Sequence, residues 1–262
     1  MQLWSYFINT AVMTGLQRNC FYHYSVGNGD YWSEVFEFSG RTPEVEEPFE
    51  DNKNGIHTWI YGDLGIGENG EGSKKMLENI SFIGEHDVIL HMGDIAYNMD
   101  DYQGLVGDMF LKEVQSIAAR FPYMVLIGNH DLYGNMTQFI NRFSMPKNAD
   151  NEGTSLFYSF NLGPVHFIML NTVYPGSTSH AEMMQTQYNW LVKDLELAQK
   201  RRKEFPWIFV LGHYAMYCTP DWTDPDVYHN YDECFTQGGN VKNYMEDLLY
   251  DCLLCTSDAA DE

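Results

Sequence analysis

The chain has 262 residues, 44% of them apolar, and a formal charge of −22, from 15 Lys+Arg against 37 Asp+Glu. That length allows one large domain with a sizeable core, and the charge excludes general affinity for nucleic acid or an anionic membrane surface. The same charge repels phosphate esters, so a phosphate substrate would need a strong local cation, and with so few basic side chains a metal ion is the natural source.

No apolar run reaches the roughly 18 residues of a membrane span. Met1–Leu16 is apolar in flavour but has no basic leader and is broken by Ser5, Asn9, Thr10 and Thr14, so it does not read as a signal peptide. Residues 1–48 read as β structure. Phe21–Val26 is rich in strand formers and Gly27-Asn28-Gly29 signals a turn. Trp32–Phe38 then returns as a second strand, with Trp32, Phe36 and Phe38 expected on one face. A hairpin of this size is not a domain by itself. Thr42–Asn54 is a Pro- and Glu-rich linker.

From Ile56 onward, strand-length apolar runs alternate with segments of helical period. Leu105, Met109, Phe110, Val114, Ile117 and Ala118 mark one expected helix face; Leu191, Leu195 and Ala198 mark another. The second runs into Lys200-Arg201-Arg202-Lys203, a solvated helix end favoured by the helix dipole rather than a binding patch. Leu156–Phe160 and Val165–Asn171 read as two strands joined at Gly163-Pro164, which makes the sheet mixed and the fold class α/β. Cysteines stand at 20, 218, 234, 252 and 255, and Cys218 and Cys234 flank a polar loop across which they could pair. Sequons at Asn79 and Asn135 add to the case for an oxidising, secretory compartment.

Four apolar runs end alike. Thr58–Tyr61 runs into Gly62-Asp63, Val88–His91 into Met92-Gly93-Asp94, Met124–Ile127 into Gly128-Asn129-His130-Asp131, and Trp207–Leu211 into Gly212-His213. Ligands of open α/β sheets bind beyond the carboxyl ends of strands, and glycine lets the chain turn sharply there. Asp, Asn and His supply a mixed oxygen and nitrogen donor set that suits Fe, Mn or Zn better than Mg or Ca. Any one corner alone is an ordinary turn; four in order predict a polymetal site at the edge of one sheet, with Asp94 a natural bridging carboxylate. His57, His91 and His166 lie in or beside strand runs and read as structural; His23, His86 and His180 carry no signal, and Met183-Met184 reads as packing.

These blocks resemble those of the calcineurin-like metallophosphoesterases. Tyr97, three residues after Asp94, narrows the resemblance to the purple acid phosphatases. Phe157-Tyr158-Ser159-Phe160, Gly163-Pro164-Val165-His166-Phe167 and Met216-Tyr217-Cys218 extend it. The resemblance implies a mixed β-sheet sandwich flanked by helices, spanning residues 49–251. It implies that residues 1–48 are the last strands of a fibronectin-III-like β-sandwich.

The resemblance also implies an acid phosphatase. A metal-bound hydroxide would hydrolyse phosphomonoesters at a dinuclear centre of Fe(III) and a divalent ion, Fe, Zn or Mn. Asp63 and Tyr97 would bind the ferric ion, Asp94 would bridge, and Asn129 and His213 would bind the divalent ion. His130 would contact the substrate phosphate or help the leaving group, and His229 is a loose candidate for a second such histidine. The protein is expected to be secreted or lysosomal/vacuolar. Its expected partners are small phosphomonoesters, with N-glycans at Asn79 and Asn135, a homodimer as an option, and neither nucleic acid nor membrane.

The family ends its catalytic domain with a Gly-His-x-His block. Here residues 252–262 follow Asp251 and resemble the translated read-through of a sequencing adapter. The expectation is therefore a chain truncated at both ends, lacking one protein ligand per metal and inactive by itself. Two rival readings remain: a metallophosphoesterase acting on diesters or nucleotides, and a non-catalytic secreted binding protein on the same scaffold. Tyr97 argues against the first, and the intact set of Asp63, Asp94, Asn129 and His213 against the second.

Overall fold

The computed structural model describes residues 7–17, 20–40, 56–67, 75, 87–147, 155–175, 178–217 and 238–254. The linker at 42–54, His86, the Asn79 sequon, Cys218, Cys234, Cys255 and His229 lie outside them.

Strands β1 (Phe21–Tyr24) and β2 (Phe36–Ser39) pair antiparallel, Tyr22 opposite Phe38. Trp32 departs from the expected face: its backbone forms an isolated bridge to Gly27 outside the ladder, and the residue is largely exposed. Three residues lie between it and Phe36, enough for the chain to leave the ladder after the turn. This hairpin touches the main body through the Tyr24 hydroxyl, which donates to the Ala119 carbonyl at 2.8 Å, and through Arg120 and Glu37 at 3.2 Å.

The main body holds two three-stranded sheets. The first orders β3 (Thr58–Tyr61), β4 (Val88–Met92) and β5 (Tyr123–Leu126), all parallel. The first four residues of β4 are all buried, as expected for a parallel strand covered on both faces. The second sheet orders β6 (Tyr158–Leu162), β7 (Val165–Met169) and β8 (Trp207–Leu211). β6 and β7 form the antiparallel hairpin expected at Gly163-Pro164, and β7 pairs parallel with β8, so this sheet is mixed.

The sheets face each other. Val88 and Leu90 of β4 share one buried cluster with Val165 and Phe167 of β7, and Leu126 shares another with Tyr158 and Met169. Each such side chain contributes about 1.5–3 kcal/mol by leaving water. The Tyr158 hydroxyl also crosses the gap to the Val125 carbonyl at 2.8 Å. Alternate residues point outward to the helices. Ile89 meets Ile117 of α2 (Gln115–Ala118), while Ile168 joins Leu191 and Leu195 of α4 (Ala181–Lys200). Met183 and Met184 pack in that same cluster, which Met245 of α5 (Gly238–Leu254) completes. The architecture is therefore a mixed α/β sandwich flanked by helices.

Helix α1 (Asp101–Glu113) corrects one expectation. Leu105 and Met109 are 50% and 43% exposed, while Val106 and Phe110 are buried. Tyr102, Gln103 and Gly104 take left-handed backbone angles at its start, which resets the phase of the face. Arg142 of α3 (Thr137–Arg142) then packs against Gly104 and Gly107, donating to the Gly104 carbonyl at 2.8 Å and to Asp108 at 2.7 Å. The basic stretch after α4 binds its own chain: Arg201 donates to Glu204 at 2.7 Å and Arg202 to the Pro206 carbonyl at 2.8 Å. At the far end, α5 continues through Cys252 to Leu254, and Cys252 packs against the core.

Candidate metal centre

The four glycine corners do meet, but not on one sheet. Asp63, Asp94 and Asn129 follow β3, β4 and β5 of the parallel sheet; His213 follows β8 of the mixed sheet. Both sheets end at the same rim, so the site spans the mouth of the sandwich rather than one sheet edge.

Close approach of the loops demands glycine at two positions. A Cβ on Gly128 would lie 2.3 Å from the Asp94 backbone nitrogen and from its Oδ1. A Cβ on Gly93, at φ +85°, would lie 2.7 Å from Gly128 and 2.9 Å from His213 Nδ1. Asp63 (φ 59°), Asp94 (φ 52°) and Tyr97 (φ 50°) are themselves left-handed, a conformation L-residues enter only at a cost.

Asp63, Asp94 and His213 each bring one ligand atom to within 4.8 Å of the others. Asn129 and Tyr97 join them. Asn129 Oδ1 is 2.9 Å from His213 Nε2, and the Tyr97 hydroxyl donates to Asp63 Oδ1 at 2.7 Å. His213 Nδ1 donates to the Met92 carbonyl at 2.8 Å, which fixes the ring and leaves Nε2 facing Asn129 and Asp94, the latter at 3.6 Å. Thr172 sets the backbone beyond: its hydroxyl accepts the Tyr214 N–H at 2.8 Å.

Whether a metal fits is decided by the atoms that face one another. The neutral imidazole offers a lone pair at Nε2, and Asn129 Oδ1 and Asp94 Oδ1 are acceptors as well. Acceptors converging on acceptors are stable only with a cation or a proton among them. Burial raises the Asp94 carboxyl above its ordinary range, opposed by the His130 N–H donation and by His213 and His130 nearby, and Asp63 adds to the rise. A bound cation would offset that penalty. The residues fit a metal.

His130 sits beside this cluster. Its ring lies 4.8 Å from that of Tyr97, and its Nδ1 is 3.2 Å from Asn98 Oδ1. With the amide oxygen as acceptor, Nδ1 carries the hydrogen and Nε2 is left to a substrate. Behind the loops, burial pushes the Asp131 carboxyl up to about 7, against N–H donors from Gly128, Ile95 and Asp94 that hold it down. Met92, Thr172, Asn98 and Asp131 have no role assigned from sequence. Only Asp131, in the same short block as Asn129 and His130, carried a signal that could have found it.

A family model described as calcineurin-like phosphoesterase matches residues 56–249. The chain belongs to this family. Within the calcineurin-like phosphoesterases it is 40% identical over 229 residues to acid phosphatase type 7 of Danio rerio, covering 85% of this chain and 48% of that relative. It is 34% identical over 251 residues to probable purple acid phosphatase 20 of Arabidopsis thaliana, covering 93% of this chain and 51% of the relative. The chain thus spans about half the length of the curated relatives it matches. A purple acid phosphatase from yellow lupin (Lupinus luteus) seeds shares the fold, at a TM-score of 0.59 and 21% identity over 80% of this chain and 39% of that one. Among the described residues, no helix is long and apolar enough to cross a membrane.

Proposed function

We propose that this calcineurin-like phosphoesterase is a secreted or lysosomal/vacuolar acid phosphatase that hydrolyses phosphomonoesters with two metal ions, Fe(III) and a divalent ion. The observation that carries the proposal is the convergence of Asp63, Asp94 and His213, with the Tyr97 phenol 2.7 Å from Asp63. The names of the matched relatives, acid phosphatase and purple acid phosphatase, support the same reading.

In this reading Asp63 and Tyr97 would hold the ferric ion, Asn129 and His213 the divalent ion, and Asp94 both. When bound, the two ions supply Lewis acidity, activating water and neutralising charge that develops on the phosphoryl oxygens. The chain's own groups do the rest. The Met92 carbonyl keeps His213 in the tautomer whose Nε2 is a donor to metal. The His130 N–H fixes the Asp94 carboxylate by donating to Oδ1 at 2.8 Å. His130, its Nδ1 directed at Asn98, presents Nε2 to the substrate phosphate or the leaving group. Asn135, exposed with Thr137 of its sequon at the start of α3, is the described glycan acceptor of this secreted reading.

The test is metal analysis with visible spectroscopy. The purified full-length protein should carry two ions and show a visible band from a tyrosinate–Fe(III) pair, and Tyr97→Phe in it should abolish the band while Asp63 remains necessary for iron. A retained band, or a protein with one ion or none, would reject the dinuclear iron assignment.

A further inference from the structure

We infer that Asp131 is a positioning residue for the metal centre, clamping the β4 and β5 loops so that Asp94 and Asn129 present their oxygens at one point. The inference rests on reading those two residues as ligands. Asp131 is 3% exposed. Its Oδ2 accepts the N–H of Asp94 at 2.9 Å and that of Gly128 at 2.9 Å, and its Oδ1 accepts the N–H of Ile95 at 3.1 Å.

Part of this is an ordinary helix cap. Asp131 accepts the N–H of Gly128, the residue that opens the 3₁₀ turn Asn129–Met136, which is one half of a capping box; glycine has no side chain to supply the other. A cap, however, serves the N–H groups of its own turn. Two of the three donors to Asp131 belong to the other loop, 37 and 36 residues earlier in the chain. The bonding is also reciprocal, since the His130 N–H crosses back to Asp94 Oδ1 at 2.8 Å. Each loop therefore fixes the carboxylate of the other.

Asp94 needs such fixing. Its φ of 52° is unfavourable for an L-residue and persists only where the surroundings over-determine it. Anchoring the N–H groups of Asp94 and Ile95 on one buried carboxylate supplies that constraint on both sides of the Asp94 α-carbon. Both oxygens of Asp131 are engaged by N–H donors, and Asp131 is not in the converging group of Asp63, Asp94 and His213. Its action on a metal runs through Asp94 and Asn129. An amide in its place keeps one acceptor oxygen and turns an NH₂ group towards a backbone N–H.

The test is a cobalt(II) titration of the protein, of Asp131→Asn and of Asp131→Ser, read by the visible d–d band, with circular dichroism and melting recorded on each metal-free protein. Expected are folded variants that bind cobalt roughly 10–100-fold more weakly, the range for partners that orient metal ligands, with an altered band shape. Either variant alone decides if only one folds. A folded variant with unaltered affinity and band overturns the inference. Failure of both variants to fold also overturns it, because the carboxylate would then be a brace of the whole fold. If the unsubstituted protein takes up no cobalt, the ligand reading itself has failed, an outcome distinct from the other two.

Discussion

Two polar clusters lie against the same sandwich, and they differ in how their hydrogen bonds close. Between the outer face of β6–β7 and helix α4, Ser159 donates to Asp194 Oδ1 at 2.7 Å, His166 Nε2 meets Asp194 Oδ2 at 2.9 Å, and His166 Nδ1 meets Asn161 Oδ1 at 2.6 Å. The residue types are those of a hydrolytic triad, but the order is wrong. Ser159 gives its hydrogen to the carboxylate, whereas a nucleophilic serine needs the imidazole as its base. With Nε2–H donating to Asp194 and the Asn161 amide turned to offer its NH₂ to Nδ1, each contact in this cluster is matched within the protein, so it fastens the helix to the sheet. At the mouth of the sandwich, Asp94, Asn129 and His213 turn acceptors towards acceptors. Inventory alone does not separate a fastening from a reactive centre; the pairing does.

The comparison breaks first at Asp94. Asp94→Asn keeps the size of the side chain and removes the charge that two ions would share in the proposed centre. Metal affinity should fall by more than ~100-fold, beyond the effect of residues that merely orient ligands, and hydrolysis of an aryl phosphate should fall with it. Equilibrium dialysis and initial rates would check this; unchanged metal uptake would return Asp94 to the class of satisfied buried acids. His166→Leu should act in the opposite manner. Losing one partner of a mostly buried pair should lower stability by about 2–3 kcal/mol, while turnover per folded molecule stays the same. Urea denaturation with rates on the folded fraction would show it, and a loss of turnover without loss of stability would contradict it.

A third histidine, whose effect appears only as a slope against pH, sharpens the contrast. His91, on the outer face of β4, has no exposure, and burial with His213 nearby lowers its pKa to about 3 from 6.5. A depressed folded value means that its contribution to stability is complete above about pH 6.5. It is lost as pH falls towards 3, by up to about 1.4 kcal/mol per pH unit. His91→Phe should flatten that slope, since Tyr123 keeps Tyr61 as a partner at 2.6 Å. Parallel slopes for the two proteins between pH 6 and pH 4 would refute it.

Much of the candidate site was legible because its candidate ligands follow a local rule. Asp63, Asp94, Asn129 and His213 each stand just past a glycine that ends an apolar run, and a strand end is a short-range feature. Which sheet each strand joins is not short-range. Nothing in Trp207–Leu211 distinguishes a fourth strand of the parallel sheet from a third strand beside β7, so the split origin of the site appears only in the pairing. The exposed Leu105 and Met109 were misjudged for a related reason. Helical period gives the width of a face but not its phase, and the left-handed start of α1 with Arg142 against its glycines sets that phase. Backbone partners such as the Met92 carbonyl leave no trace in side-chain identity.

Asp63 and Asp94 hold a backbone shape that asparagine and glycine enter with less strain than other residues. Replacement by either would ease the local conformation and, at Asp94, remove a buried charge. Along these paths inactivation is downhill in stability, so descendants of this scaffold that lost their chemistry should outlast heat better than those that kept it. Purifying selection at the two positions would then reflect what the molecule does rather than how well it holds together.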